Sequence, residues 1–147
     1  MNILGSLRGV SIDQAVKVLD EKGGLDPNVG IVVAPMDVPS TTWDGQEYHF
    51  YAARVLPGKR VAAHVHGHGR EPYLCLQGKG SMSVGSMEER DSVRWGEPKE
   101  FSPNDTIMVE EGQVHSLANV GDEEIIFLFA CPEAHLSSDR VMAPTPS

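Results

Sequence analysis

Basic residues are scarce in this chain. Lysine and arginine number 12 against 21 aspartates and glutamates, a formal net charge of −9, and no basic cluster interrupts the acidic excess. Nucleic acid and anionic membrane both need a positive footprint, so neither is expected as a partner. Cysteine is scarcer still. Cys75 and Cys131 each sit in an apolar run; they are too few for a disulfide framework and read as buried free thiols of a cytoplasmic protein. No apolar run approaches the length of a membrane-spanning helix, and the opening MNILGSLRGV lacks the order of a signal peptide. No pattern repeats, so the 147 residues are expected to form one unit with a core large enough to stand without staples. None of this excludes a small-molecule substrate.

One convincing helix stands at the front. In SIDQAVKVLDEKGG, residues 11–24, Ser11 and Gln14 have the spacing of a capping box. Ile12, Ala15, Val16 and Leu19 form an apolar stripe, and Gly23 supplies a stop. Beyond it the character turns to β. IVVAP, EYHFYAARVL, RVAAHVH, EPYLCLQ, GSMSV, DTIMV, VHSLAN and EEIIFLFAC read as strands closed by turns bearing glycine or proline. The charged run SMEERDSVRWGEPKE has no clear period and reads as a loop or a short ribbon. Seven to nine short strands behind one helix predict a mainly β sandwich or barrel. The expected divisions are a helical segment over 1–28, a barrel over 29–136 and a flexible tail over 137–147.

The chemistry concentrates in HVHGHGREPY, residues 64–73, which holds three of the six histidines. His64 and His66 are two apart and leave the same face of a strand. The GHG turn that follows can fold the chain back so that Glu71 points at the same spot. Two imidazole nitrogens and a carboxylate oxygen converging on a point make a transition-metal site, with His115 a fourth candidate. For the histidine pair alone, a solvated loop is the plainer reading.

The spacing around the pair decides the matter. Gly58, His64, His66, Glu71 and Gly78 fall at the intervals of the first motif of the cupin superfamily, which the chain resembles. Gly112, His115 and Asn119 match the second motif, while Asn104 stands where the family has Gly and Glu110 where it has Pro. Asn is the next residue best able to take a left-handed turn. The match covers about residues 47–132, with eight of ten fixed positions. The resemblance implies a double-stranded β-helix (jelly-roll) barrel. It implies as well one divalent transition metal (iron, manganese, nickel, zinc or copper) on His64, His66, Glu71 and His115. Cupin barrels commonly pair as homodimers, often by exchanging an N-terminal strand, and residues 29–38 are the segment expected to do so here.

Other residues are weaker candidates. Tyr73 and His68 are candidate catalytic groups, and Arg54, Arg60 and Cys75 candidate substrate contacts. For Tyr73 and Cys75 core filling is the stronger expectation, and for both arginines an outer-face position is. Trp43 and Trp95 are candidates for the pocket rim; His49 and His135 read as structural. Two functions compete. One is a metalloenzyme acting on a small polar molecule. With iron it would run dioxygenase-type chemistry, the preferred reading; with a Lewis-acid ion it would be an isomerase, epimerase, lyase or decarboxylase. The other is a metal-supported binding barrel without catalysis. No pair of DNA-binding helices accompanies the barrel.

Overall fold

The computed structural model describes residues 3–89 and 92–146. Expectations for the first two residues, for Arg90 and Asp91 within the charged run, and for Ser147 lie outside the described residues.

Two helices are described ahead of the β part, α1 (Ile3–Arg8) and α2 (Ile12–Lys22). The capping box forms as the sequence predicts: Ser11 N–H donates to Gln14 Oε1 at 2.9 Å and Gln14 N–H to Ser11 Oγ at 3.2 Å. The buried face of α2 is Ala15, Val18 and Leu19, so the stripe is rotated slightly from the expected one, leaving Ile12 and Val16 at its margin. Helix α1 was not expected. Six residues are too few to display a helical period, and its Ile3 and Leu7 are held by burial.

The strands are β1 (Gly24–Asp26), β2 (Ile31–Pro35), β3 (Thr41–Trp43), β4 (Gln46–Val55), β5 (Arg60–Val65), β6 (Glu71–Gln77) and β7 (Gly80–Met87). Then come β8 (Val93–Trp95), β9 (Lys99–Phe101), β10 (Thr106–Val109), β11 (Gln113–Asn119), β12 (Ile125–Cys131) and β13 (Val141–Met142). Five of these, β1, β3, β8, β9 and β13, run only two or three residues. Such runs carry no alternation, so the sequence shows fewer strands than the fold has; within the charged run, β7 and β8 pair as the short ribbon that its sequence allows.

Two antiparallel sheets result. One runs β1-β2-β4-β12-β6-β10 with β3 on β4; the other runs β13-β5-β11-β7-β8 with β9 on β7. Their inner faces enclose the main core, where Tyr51, Val61, Met82, Phe101, Leu117 and Phe127 meet. Strand β12 is buried along its whole length. Its Ile125, Phe127, Phe129 and Cys131 point into the barrel, while Ile126, Leu128 and Ala130 face Leu7, Ala15 and Leu19 of the helices. The helices therefore act as a lid on the outside of the first sheet, and each large side chain they help bury stabilises by about 1.5–3 kcal/mol. Strand β2 is paired on both sides within its own chain, by β1 and β4. Among the described residues no helix is long and apolar enough to cross a membrane.

The tail departs from expectation. Residues 139–143 are tied to the barrel: Val141 and Met142 pair with Val65 and His64 on β5, and the Arg140 guanidinium binds the Asp26 carboxylate at 2.6 and 3.2 Å. Backbone pairing and a two-pronged ion pair hold this polar segment where no apolar run is present to do so.

Candidate metal centre

Strands β5 and β11 lie in the second sheet and β6 in the first, so the β5–β6 connection crosses from one sheet to the other. His64 is on β5, His66 just past it, and Glu71 opens β6. The register places His115 directly opposite His64 across the β5–β11 ladder. Two left-handed turns support this framework. Gly78 ends β6 at φ 90°, where a Cβ would come within 2.7 Å of the Glu124 carbonyl oxygen. Asn104, standing in for the motif glycine, takes φ 75°. Glu110, in place of the motif proline, is exposed and approaches Arg70 at 3.8 Å.

The four residues of the sequence-predicted set come together. His64, His66, Glu71 and His115 are all buried, and one donor atom from each lies within 4.8 Å of every other. Glu71 Oε2 is 3.3 Å from His66 Nε2, and Glu71 Oε1 is 3.7 Å from His115 Nε2. His64 Nδ1 donates to the Ala62 carbonyl at 2.6 Å and His66 Nδ1 to the Asp139 carbonyl at 2.7 Å, which turns each Nε2 inward. His66 Nε2 and both ring nitrogens of His115 are buried without a hydrogen-bond partner. Leaving such groups unpaired costs about 1–3 kcal/mol each. Convergent orphaned nitrogens beside a carboxylate fit a bound divalent ion, which would satisfy them at once.

Electrostatics agree with that fit. Burial above all pushes the His64 imidazolium down to about 3 and His66 down to about 4, so both rings stay neutral near neutral pH, as metal ligation requires. Burial alone would raise the Glu71 carboxyl, but the close His115 ring, the hydrogen bond from His135 and the nearby His66 outweigh it and hold the group well below its ordinary value. Glu71 is thus a buried anion beside the neutral His64 and His66 rings.

The remaining candidates separate. Tyr73 follows Glu71 by two and shares its face; its hydroxyl donates to Glu71 Oε1. Cys75, two further on, stays in the core with its thiol against the Gln77 and Gly78 carbonyls, and it does not line the cavity at the centre. Burial pushes that thiol up to about 12. The His68 side chain is exposed and only its backbone turns toward the site. Neither arginine enters the barrel. Arg54 is on the outer face of β4, where it pairs with Asp20 at 3.2 Å and Glu124 at 3.1 Å. Arg60 donates to the Ser116 hydroxyl at 3.0 Å, on the face of β11 away from His115. Both would have left a charge unpaired inside, and the alternation of their strands puts them out instead. Neither tryptophan lines the cavity: Trp43 packs edge-on against Tyr48 beneath Arg70, and Trp95 pairs with Gly85.

Three site residues escaped the sequence reading. His135, taken as structural, is buried and donates from Nδ1 to Glu71 Oε2 at 2.7 Å. Asp139 accepts the amides of Gly67 at 2.7 Å and His68 at 2.9 Å, bracing the GHG turn. Arg140, neutralised by Asp26, stands in the wall of the cavity. All three follow β12, outside both motifs, and no local pattern marks them.

The cavity beside the histidines is otherwise walled by Val29, Ile31, Val61, Phe127, Phe129 and Leu136. It offers about 30 Å³ to the centres of water-sized spheres, room for about two waters. The arrangement can hold one ion and a very small ligand beside it.

Comparison with known proteins assigns the class. The profile of the cupin domain matches residues 52–131, more than half of the chain, and the chain belongs to the cupin family. A mannose-1-phosphate guanylyltransferase of Sinorhizobium fredii (strain NBRC 101917 / NGR234) is 23% identical over 111 residues, covering 76% of this chain and 20% of that protein. The chain thus spans about a fifth of the length of the curated relative it matches. A solved structure of an uncharacterised conserved protein with a double-stranded β-helix domain, from Klebsiella pneumoniae, superposes with a TM-score of 0.58 at 21% identity. That match covers 83% of this chain and 96% of the other. Oxalate oxidase in complex with the substrate analogue glycolate gives a TM-score of 0.60 at 18% identity, over 83% of this chain and 60% of that one. At these identities the likeness is one of fold.

Proposed function

We propose that this cupin is a mononuclear divalent-metal enzyme acting on a small polar molecule by oxidative, dioxygenase- or oxidase-type chemistry. The observation that carries the reading is the set of buried, unpartnered nitrogens of His66 and His115 facing the Glu71 carboxylate. His64, His66, Glu71 and His115 would hold the ion, with the adjoining cavity available to a small substrate. When bound, the ion would polarise a ligand and, if it is iron, supply electrons to dioxygen. The chain's own residues then bind and orient. The small cavity, with the Asp26–Arg140 pair set among apolar side chains in its wall, admits a substrate of only a few heavy atoms. Tyr73 serves as a hydrogen-bond donor and not as a base, because burial and the adjacent Glu71 carboxylate push its pKa well above the ordinary value. The resemblance to oxalate oxidase supports the choice of oxidative chemistry by analogy of fold.

Elemental analysis of protein purified without chelator or metal-binding tag tests this. Near-stoichiometric iron, with oxygen uptake on a panel of small carboxylates, is the expected result. Stoichiometric manganese, nickel or zinc without oxygen uptake would move the assignment to a Lewis-acid isomerase, lyase or decarboxylase. No metal, and none taken up on titration, would leave a barrel that binds without catalysis.

A further inference from the structure

A carboxylate at the end of a glutamate side chain turns on a soft terminal torsion. A glutamate that must present a fixed oxygen to an ion therefore needs outside restraint. Glu71 has it on both oxygens, from different elements. Tyr73, on the same strand, donates to Oε1, and His135, from the 3-10 turn Glu133–Leu136 after β12, donates to Oε2 at 2.7 Å. His135 is itself held. Its Nε2 bonds the His68 carbonyl, and its ring stacks on His66 with centroids 3.9 Å apart and planes 1° from parallel. One buried side chain thus touches two of the four residues around the centre and the turn that joins them.

A competing role is available. Glu71, Cys131 and His135 form a second grouping of metal-ligating types. Both ring nitrogens of His135 are already engaged, however, and neither is orphaned as those of His115 are. The geometry points to a different role: we infer that His135 is a positioning residue, which fixes the Glu71 carboxylate and the His66 ring plane for the ion without binding it. The inference rests on the metal reading of the site given above.

The test uses the full chain, freed of metal, titrated with cobalt(II) against a competing chelator and followed by its visible absorption. His135→Ala is expected to weaken cobalt binding by about 10–100-fold, the range for loss of a partner that orients a ligand. It should also change the visible band at saturating cobalt, since the carboxylate then rotates. His135→Asn keeps an N–H near the Nδ1 position and is expected to recover much of the affinity. Imidazole added to His135→Ala should restore it in part by refilling the space. A role in packing alone would lower the melting temperature of the metal-free variants and leave the cobalt band unmoved.

Wild-type affinity and an unchanged band in His135→Ala would overturn the inference. So would equal losses in the Ala and Asn variants with no response to imidazole. Should His135→Ala fail to fold, the affinity and band of His135→Asn decide alone, unaltered values supporting positioning by the retained N–H and a loss as large as 100-fold contradicting it. A wild type that takes up no cobalt at all would instead overturn the metal reading, and this inference with it.

Discussion

The two ends of the barrel interior are built on the same strands and obey opposite rules. Along β6 the inward residues run Glu71, Tyr73, Cys75, from the histidine cluster to a dry core. Along β11 they run His115 and then Leu117. At the dry end Cys75, Met82, Phe101 and Leu117 are almost wholly buried and make only apolar contacts or a thiol contact to a carbonyl. At the other end buried polar atoms are left without partners. The dry end stabilises the fold whatever is bound, whereas the histidine end is destabilised until something occupies it. Inward parity alone does not separate the two, since side-chain chemistry within one face sets which end is scaffold and which is site.

Breaking the dry end should have the largest effect. Phe101→Ala is expected to cost about 3–5 kcal/mol in urea unfolding by leaving a cavity among fully buried side chains. Cobalt affinity of the molecules that remain folded should not change. A parallel loss of affinity would mean that the two ends are mechanically one.

Filling the histidine end should act in the opposite direction. Divalent metal at a hundred times its Kd is expected to raise unfolding stability by about 2.7 kcal/mol through mass action. His64→Ala should abolish that gain. Melting curves with and without metal measure it, and a gain that survives in His64→Ala would misplace the ion.

The sharpest form of the comparison is His115→Leu. Both ring nitrogens of His115 are buried and unpartnered, so an apolar replacement removes a desolvation penalty of about 1–3 kcal/mol. The metal-free variant is expected to be more stable than the metal-free wild type in urea, and to have lost metal uptake. A variant less stable than the wild type would show that these nitrogens are satisfied in solution. His68→Ala should produce the smallest change, with metal content and stability both near wild type, because its side chain is exposed.

Much of the fold was legible because periodicity reports local geometry. The capping box of α2, the runs of strand-forming residues between glycine turns from β4 to β7 and the unbroken apolar run of β12 each prescribe an element through residues close in the chain. The short strands were not legible, nor was α1. Two to six residues carry too little pattern, and their pairing or burial is set by neighbours distant in the chain. The ligand set was legible for a different reason: a fixed spacing of His, Glu and Gly encodes where the strands turn. Arg54 and Arg60 illustrate the limit. Their positions beside the Gly58 turn favour the outer face, as found, but only the packed sheets supply Asp20, Glu124 and Ser116 as their partners.

The sequence by itself determined that this is one acidic, mainly β unit carrying His64, His66, Glu71 and His115 at cupin spacing. It did so because strand alternation and motif intervals are properties of short stretches of chain. Tertiary structure alone decided that the polar segment after β12 folds over the site, bringing His135 to Glu71, Asp139 to the turn and Arg140 to Asp26. Those pairings span 64, 72 and 114 residues. Contacts at such separations depend on how two sheets close around a core, which no local pattern in the sequence records.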